Sequence, residues 1–174
     1  TVLADSWLNC SALENPTFDD VVKRLKAEAA KNPESGWVQG QLFDPSLYPG
    51  EPELTRDILD QVSTELPVGV LNASMHYLYV NSKALELAGI TDETPDPPGG
   101  KFYRENGRLT GVVGESGAIL KFMAVQPQRS QEQLMAGLID IMNKAASVGV
   151  TAMREALTGA ILGPGEVSVL HQLN

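Results

Sequence analysis

The chain has 174 residues, a hydrophobic content of 43% and a formal charge of −9. That is one domain, or one with a small companion, and enough apolar material for a real core. The acidic balance argues against binding phosphate backbones or anionic membranes. A single cysteine, Cys10, excludes an internal disulfide framework and any multi-cysteine zinc site. No apolar run approaches the ~20 residues of a membrane span, and no signal-peptide pattern opens the chain. A cytoplasmic location is the expectation, consistent with the lone thiol.

Residues 1–16 read as short and irregular. Thr17 reads as an N-cap, with Asp19 and Asp20 favouring the helix dipole. Phe18, Val21, Val22, Leu25 and Ala29 then fall on one face and Lys23, Arg24, Lys26 and Glu28 on the other. Asn32-Pro33 ends this helix, because a residue before proline avoids helical geometry. Residues 36–40 suggest a short strand. Residues 43–52, with Pro45, Pro49, Gly50 and Pro52, suggest a structured loop. Thr55 is placed to cap a helix that buries Ile58, Leu59 and Val62.

Residues 67–90 form the most informative stretch. An apolar run leads into a polar elbow, Asn72-Ala73-Ser74, followed by His76. An extended piece with Tyr77, Tyr79 and Val80 comes next, then an Asn81-Ser82 helix start and a stop at Gly89. A strand, a polar group at its end and a helix start commonly present side chains to a ligand. Residues 91–100, rich in proline and acid, read as a linker. Residues 101–104 and 108–113 form a hairpin about Asn106-Gly107, and residues 114–124 a helix. Ser130 and Gln133 make a capping box for a helix with a buried stripe of Leu134, Leu138, Ile141, Met142 and Ala145, ended by Gly149. Residues 150–153 read as a strand followed by Arg154-Glu155. Gly163-Pro164-Gly165 precedes a last helix carrying His171. The fold class is α/β, with α+β as the alternative: a mixed layered sheet with flanking helices and one β-hairpin.

His76 is the first candidate for chemistry. It has the means to orient a ligand, act as a base or bind metal, and equally to be an ordinary hydrogen-bonded histidine at a strand end. Glu115, after a strand and a glycine, and Glu155, after the strand read at 150–153, stand where catalytic groups sit in barrel enzymes; a helix-start acid is the plainer reading. His171 reads as surface or packing. There is no His-x-His and no HExxH, and Gly114-Glu115-Ser116-Gly117 lacks nucleophile-elbow spacing. Taken alone, the residues support a ligand-binding α/β unit without a definite catalyst.

Four pieces in order carry a resemblance. They are Gly36-Trp37-Val38-Gln39-Gly40 with Phe43-Asp44-Pro45; Met75-His76 with Val80-Asn81-Ser82-Lys83-Ala84-Leu85 and Ala88-Gly89-Ile90; Thr94-Pro95-Asp96-Pro97-Pro98-Gly99-Gly100 with Asn106-Gly107 and Thr110-Gly111-Val112-Val113; and Gly149-Val150-Thr151. Together they resemble the YtcJ-like branch of the amidohydrolase superfamily, which includes N-substituted formamide deformylase and the AepA exoenzyme regulatory proteins. The resemblance implies a metal-binding (β/α)8 barrel with a small β-sandwich. This chain would be an internal fragment: the segment inserted after the first barrel strand and the return to the barrel. Its parts would be residues 1–35 (a segment and helix on the core), 36–115 (a substrate-side subdomain) and 116–174 (the return).

The family's His-x-His pair would lie upstream and its later ligands downstream. The resemblance therefore implies no catalytic and no metal-ligating residue here, with a divalent ion, zinc, held by the parent. Its activity would be hydrolysis of an amide or other C–N bond by metal-activated water, the fragment being inactive alone. His76, Asn81, Tyr79 and Glu115 match family positions and are the substrate-side candidates. Met75 stands where relatives commonly carry glycine. The alternative is a non-catalytic ligand-binding or regulatory module of the AepA kind. The implied partner is a small-molecule substrate. A fragment cut from a barrel should also expose apolar faces and form a homodimer.

Overall fold

A computed structural model describes residues 7–127, 130–154 and 171. The chain divides into two compact units: Trp7–Gln126, and residues 1–6 together with 127–174.

The first unit is a six-stranded open sheet in the order β1-β2-β3-β4-β6-β5. Its strands are β1 (Leu8–Asn9), β2 (Val38–Phe43), β3 (Val68–Asn72), β4 (Tyr77–Val80), β5 (Lys101–Glu105) and β6 (Arg108–Gly114). β1, β2 and β3 run parallel, β4 reverses against β3, and β6 pairs antiparallel with both β4 and β5. The helices are α1 (Phe18–Ala30), α2 (Arg56–Asp60), α3 (Ser82–Leu87) and α4 (Glu115–Met123). This is the mixed α/β sheet with flanking helices and a hairpin that the sequence implies.

Alternation along the strands separates two core layers. Val21 and Leu25 of α1 pack with Phe43, Val68, Val70 and Tyr79 on one face. Leu78, Val80 and Val113 pack with Leu85 of α3 and Phe122 of α4 on the other. α1 forms where its periodicity places it. Thr17 caps it, and Thr17 with Asp20 completes a capping box. Asn106 (φ 51°) and Gly107 (φ 83°) are both left-handed, the conformation a tight two-residue hairpin needs.

In this first unit four expectations change. Residues 1–16 contain β1, which is too short to show a sequence pattern and exists through its pairing with β2. The strand read at 36–40 runs from Val38 to Phe43 through a register shift, with Leu42 left-handed at φ 63°. Thr55 stands at the N-cap of α2 but makes no side-chain capping bond. The 91–100 stretch is not a free linker. Asp92 Oδ1 accepts from the Leu109 N–H at 2.7 Å and Asp96 Oδ1 from the Phe102 N–H at 2.9 Å. The Arg104 guanidinium donates to the Asp92 and Thr94 carbonyls. These bonds fasten the proline-rich segment to the β5–β6 hairpin.

In the second unit, α5 (Gln131–Ser147) starts at the expected Ser130–Gln133 capping box. Its apolar stripe is only partly covered: Leu134, Leu138, Ile141 and Ala145 are half-buried, and Met142 is exposed. Residues 150–153 are not a strand, because a strand needs a hydrogen-bonded neighbour and none of the described ones pairs there. Glu155 and Gly163-Pro164-Gly165 lie outside the described residues, and His171 is helical and exposed. No helix among the described residues is long and apolar enough to cross a membrane.

Candidate functional site

Three parallel strands bring the C-terminal ends of β1, β2 and β3 to one edge of the sheet. The antiparallel pairing of β4 and β6 brings Tyr77 opposite Gly114 at that same edge. The turn after β3 and the junction of β6 with α4 therefore meet. Crevices at strand C-terminal ends are where open α/β sheets hold ligands.

Local bonds shape the turn. The Met75 N–H donates to the Asn72 carbonyl at 2.9 Å, and the Ser74 N–H to Asn72 Oδ1 at 2.7 Å. Met75 consequently sits left-handed at φ 64°, a conformation that glycine adopts without the Cβ penalty. The Glu115 N–H then donates to the His76 carbonyl at 2.8 Å, and Glu115 itself is left-handed at φ 64°. Two non-glycine residues thus hold a costly backbone geometry on either side of one contact, as strained functional sites do.

The contact joins side chains as well. His76 Nδ1 lies 2.9 Å from Glu115 Oε2, with side-chain exposures of 64% and 56%. A carboxylate oxygen only accepts, so Nδ1 carries the proton. In the neutral imidazole Nε2 is then the acceptor. The arrangement can orient a polar substrate, accept its N–H, or take a proton from it.

The four sequence candidates separate into two kinds. His76 and Glu115, 39 positions apart, are brought together and exposed. Tyr79 and Asn81 lie in the interior. Tyr79 is 3% exposed and its hydroxyl accepts from Asn72 Nδ2 at 3.1 Å; burial pushes its hydroxyl above the usual 10.0. Asn81 has no exposed surface. Its Oδ1 accepts from the Val68 and Ala84 N–H groups, and its Nδ2 donates to the Ser63 and Leu66 carbonyls. Every hydrogen-bonding position of that amide is used, so Asn81 holds the fold and has nothing left to offer a ligand.

Sequence reasoning missed Tyr103 and treated Tyr77 only as strand filling. Their rings lie 6.2 Å apart beside the pair, and Lys101 Nζ sits 4.8 Å above the Tyr103 ring. A hydrogen bond with Tyr77 raises the Tyr103 hydroxyl above its usual range; burial and the Glu115 and Glu53 carboxylates add to it. Gly114 makes room for this shelf: a Cβ there would stand 2.9 Å from Tyr103 Cε2. The signal lay in the hairpin register, which pairs Lys101 with Gly114.

Among the described residues, no group of three or more His, Cys, Asp or Glu side chains converges to hold an ion. His76 and Glu115 offer two donors, short of the three or four protein ligands of a resident zinc. The described residues do not fit a metal centre, and no step is assigned to an ion held by them.

A family model described as "amidohydrolase family" matches residues 2–173. The chain is 31% identical over 161 residues to the N-substituted formamide deformylase of Arthrobacter pascens, covering 90% of this chain and 30% of that protein. It is 32% identical over 145 residues to the exoenzymes regulatory protein AepA of Pectobacterium carotovorum, covering 80% of this chain and 31% of that protein. The chain thus spans under a third of the length of these relatives. In structure it is similar to an uncharacterized metal-dependent hydrolase from Pyrococcus horikoshii, with a TM-score of 0.59 and 18% identity over 96% of this chain and 30% of that one.

Proposed function

The chain belongs to the amidohydrolase family, and from that membership we propose that it supplies the substrate-facing side of a metal-dependent hydrolase acting on an amide or other C–N bond. The observation that carries the reading is the His76–Glu115 contact, built at the strand C-terminal edge between two strained residues. Glu115 fixes the imidazole tautomer and turns Nε2 outward to accept the N–H of an amide. Tyr77 and Tyr103 provide the adjoining wall. Asn81 and Tyr79 act behind them, as supports. In this reading zinc activates the attacking water from ligands other than the described residues, and this chain alone does not turn over substrate.

The test uses the purified chain, added zinc and an N-alkylformamide. The expected result is no hydrolysis and no stoichiometric tight zinc, while the amide shifts the His76 ring resonances and Glu115→Gln weakens that shift. Turnover with one tightly held zinc, or an amide that leaves His76 unmoved, overturns the reading. The proposal extends to self-association through the exposed Ile139, Met142, Val148, Val150 and Met153 of the second unit. A monodisperse monomer by light scattering at high concentration refutes that part.

A further inference from the structure

The loop between β2 and α2 does more than connect them. Phe43 and Leu54, at its two ends, are buried at 1% and 0% exposure. Between them Asp44 Oδ1 accepts from the Ser46 N–H at 3.0 Å, the Glu51 N–H donates to the Tyr48 carbonyl at 3.2 Å, and Gly50 turns the chain at φ 85°. Pro45, Pro49 and Pro52 fix three further backbone angles. The loop is ordered before any ligand arrives, which lowers the entropic cost of binding.

What it encloses is a cleft of about 260 Å³, lined by Phe18, Phe43, Pro45, Tyr48, Glu51, Pro52 and Glu53. Three aromatic side chains, each at most 6% exposed, contribute to the lining. Phe43 and Tyr48 stack with centroids 5.6 Å apart, and Phe18 meets both edge-on. Tyr48 is held there by its hydroxyl, which donates to the Asn15 carbonyl at 2.8 Å. The rim is acidic: Glu51 and Glu53 are exposed, and neither pairs with a described cation. No lysine or arginine lines the space. The aromatic side chains in the lining and the exposed carboxylates beside them both favour a cation over a neutral or anionic guest. The volume falls below the usual range for drug-sized ligands.

We infer that this cleft binds a small organic cation, an alkylammonium group held against the Phe18, Phe43 and Tyr48 lining beside Glu51 and Glu53. Its lining shares no residue with the His76–Glu115 pair.

The probes are choline and its neutral isostere 3,3-dimethyl-1-butanol, titrated into the full chain and followed by the ring resonances of Phe18 and Tyr48. Choline should saturate those shifts and bind roughly tenfold tighter than the alcohol. The double variant Glu51→Gln/Glu53→Gln should keep the fold, as judged by an unchanged amide spectrum, and lose that preference. Equal binding of the two probes, absence of saturation, or a choline preference that survives in the double variant overturns the inference. So does a choline response centred on His76 rather than on the cleft.

Discussion

Asn81 and His76 bracket the same four-residue strand, β4, and obey opposite rules. At the lower end, Asn81 is fully buried and joins four backbone groups from three segments. At the upper end, His76 is exposed and held by one carboxylate across a pair of left-handed residues. The lower end stores stability and leaves nothing free. The upper end holds unfavourable backbone geometry and presents unspent hydrogen-bonding capacity, the profile of a site shaped for a ligand.

The sharpest way to break this contrast is at Gly111 on the lower half of β6. Its φ is 84°, and a Cβ would lie 2.3 Å from the Val80 carbonyl oxygen and 2.8 Å from the Arg56 nitrogen. Gly111→Ala should cost about 3 kcal/mol or more, read from urea unfolding; wild-type stability would erase the distinction between the two ends. Asn81→Ala should follow closely, at about 3 kcal/mol, because it orphans buried N–H and carbonyl groups together. Thermal denaturation measures it.

A smaller effect tests the rim of the lower end. Arg108 makes two bonds to Asp57, at 2.8 and 2.7 Å, and that hydrogen-bonding holds the Asp57 carboxyl below its usual 3.8. A depressed carboxylate adds stability above its unfolded value and loses it as pH falls through the folded one. The contribution should therefore fade below about pH 3.8, and the pair is exposed enough that it amounts to less than about 1 kcal/mol. Acid titration of Asp57→Asn against the parent chain should show the loss only above that range.

The smallest effects belong to the upper end. Met75→Gly should relieve the left-handed strain and gain about 0.5 kcal/mol after the entropy of glycine is counted. Glu115→Gln should change stability by less than about 0.5 kcal/mol while altering the His76 tautomer seen by nitrogen chemical shifts. If Glu115→Gln unfolded the chain, the pair would be structural and the contrast would disappear.

The local devices were legible because their partners sit within a few positions of each other. The Thr17 N-cap, the Ser130–Gln133 capping box, the α1 stripe and the Asn106-Gly107 turn each close within one helical turn or one hairpin. His76 and Glu115 were each visible as polar groups at strand ends, and family resemblance added Asn81 and Tyr79. Their division into exposed and buried pairs was not visible, since burial depends on which elements cover a residue.

Sequence by itself therefore determined the mixed α/β class, most helix starts and the identity of the polar groups near the edge, because propensity and capping act over three or four residues. Tertiary structure alone decided that β1 is a strand and that residues 150–153 are not, since a strand exists only when another strand supplies its hydrogen bonds. It decided that the 91–100 segment is stapled down, through carboxylates whose donors lie on the hairpin. It also decided that His76 meets Glu115 across 39 positions, a distance that only the antiparallel pairing of β4 with β6 closes.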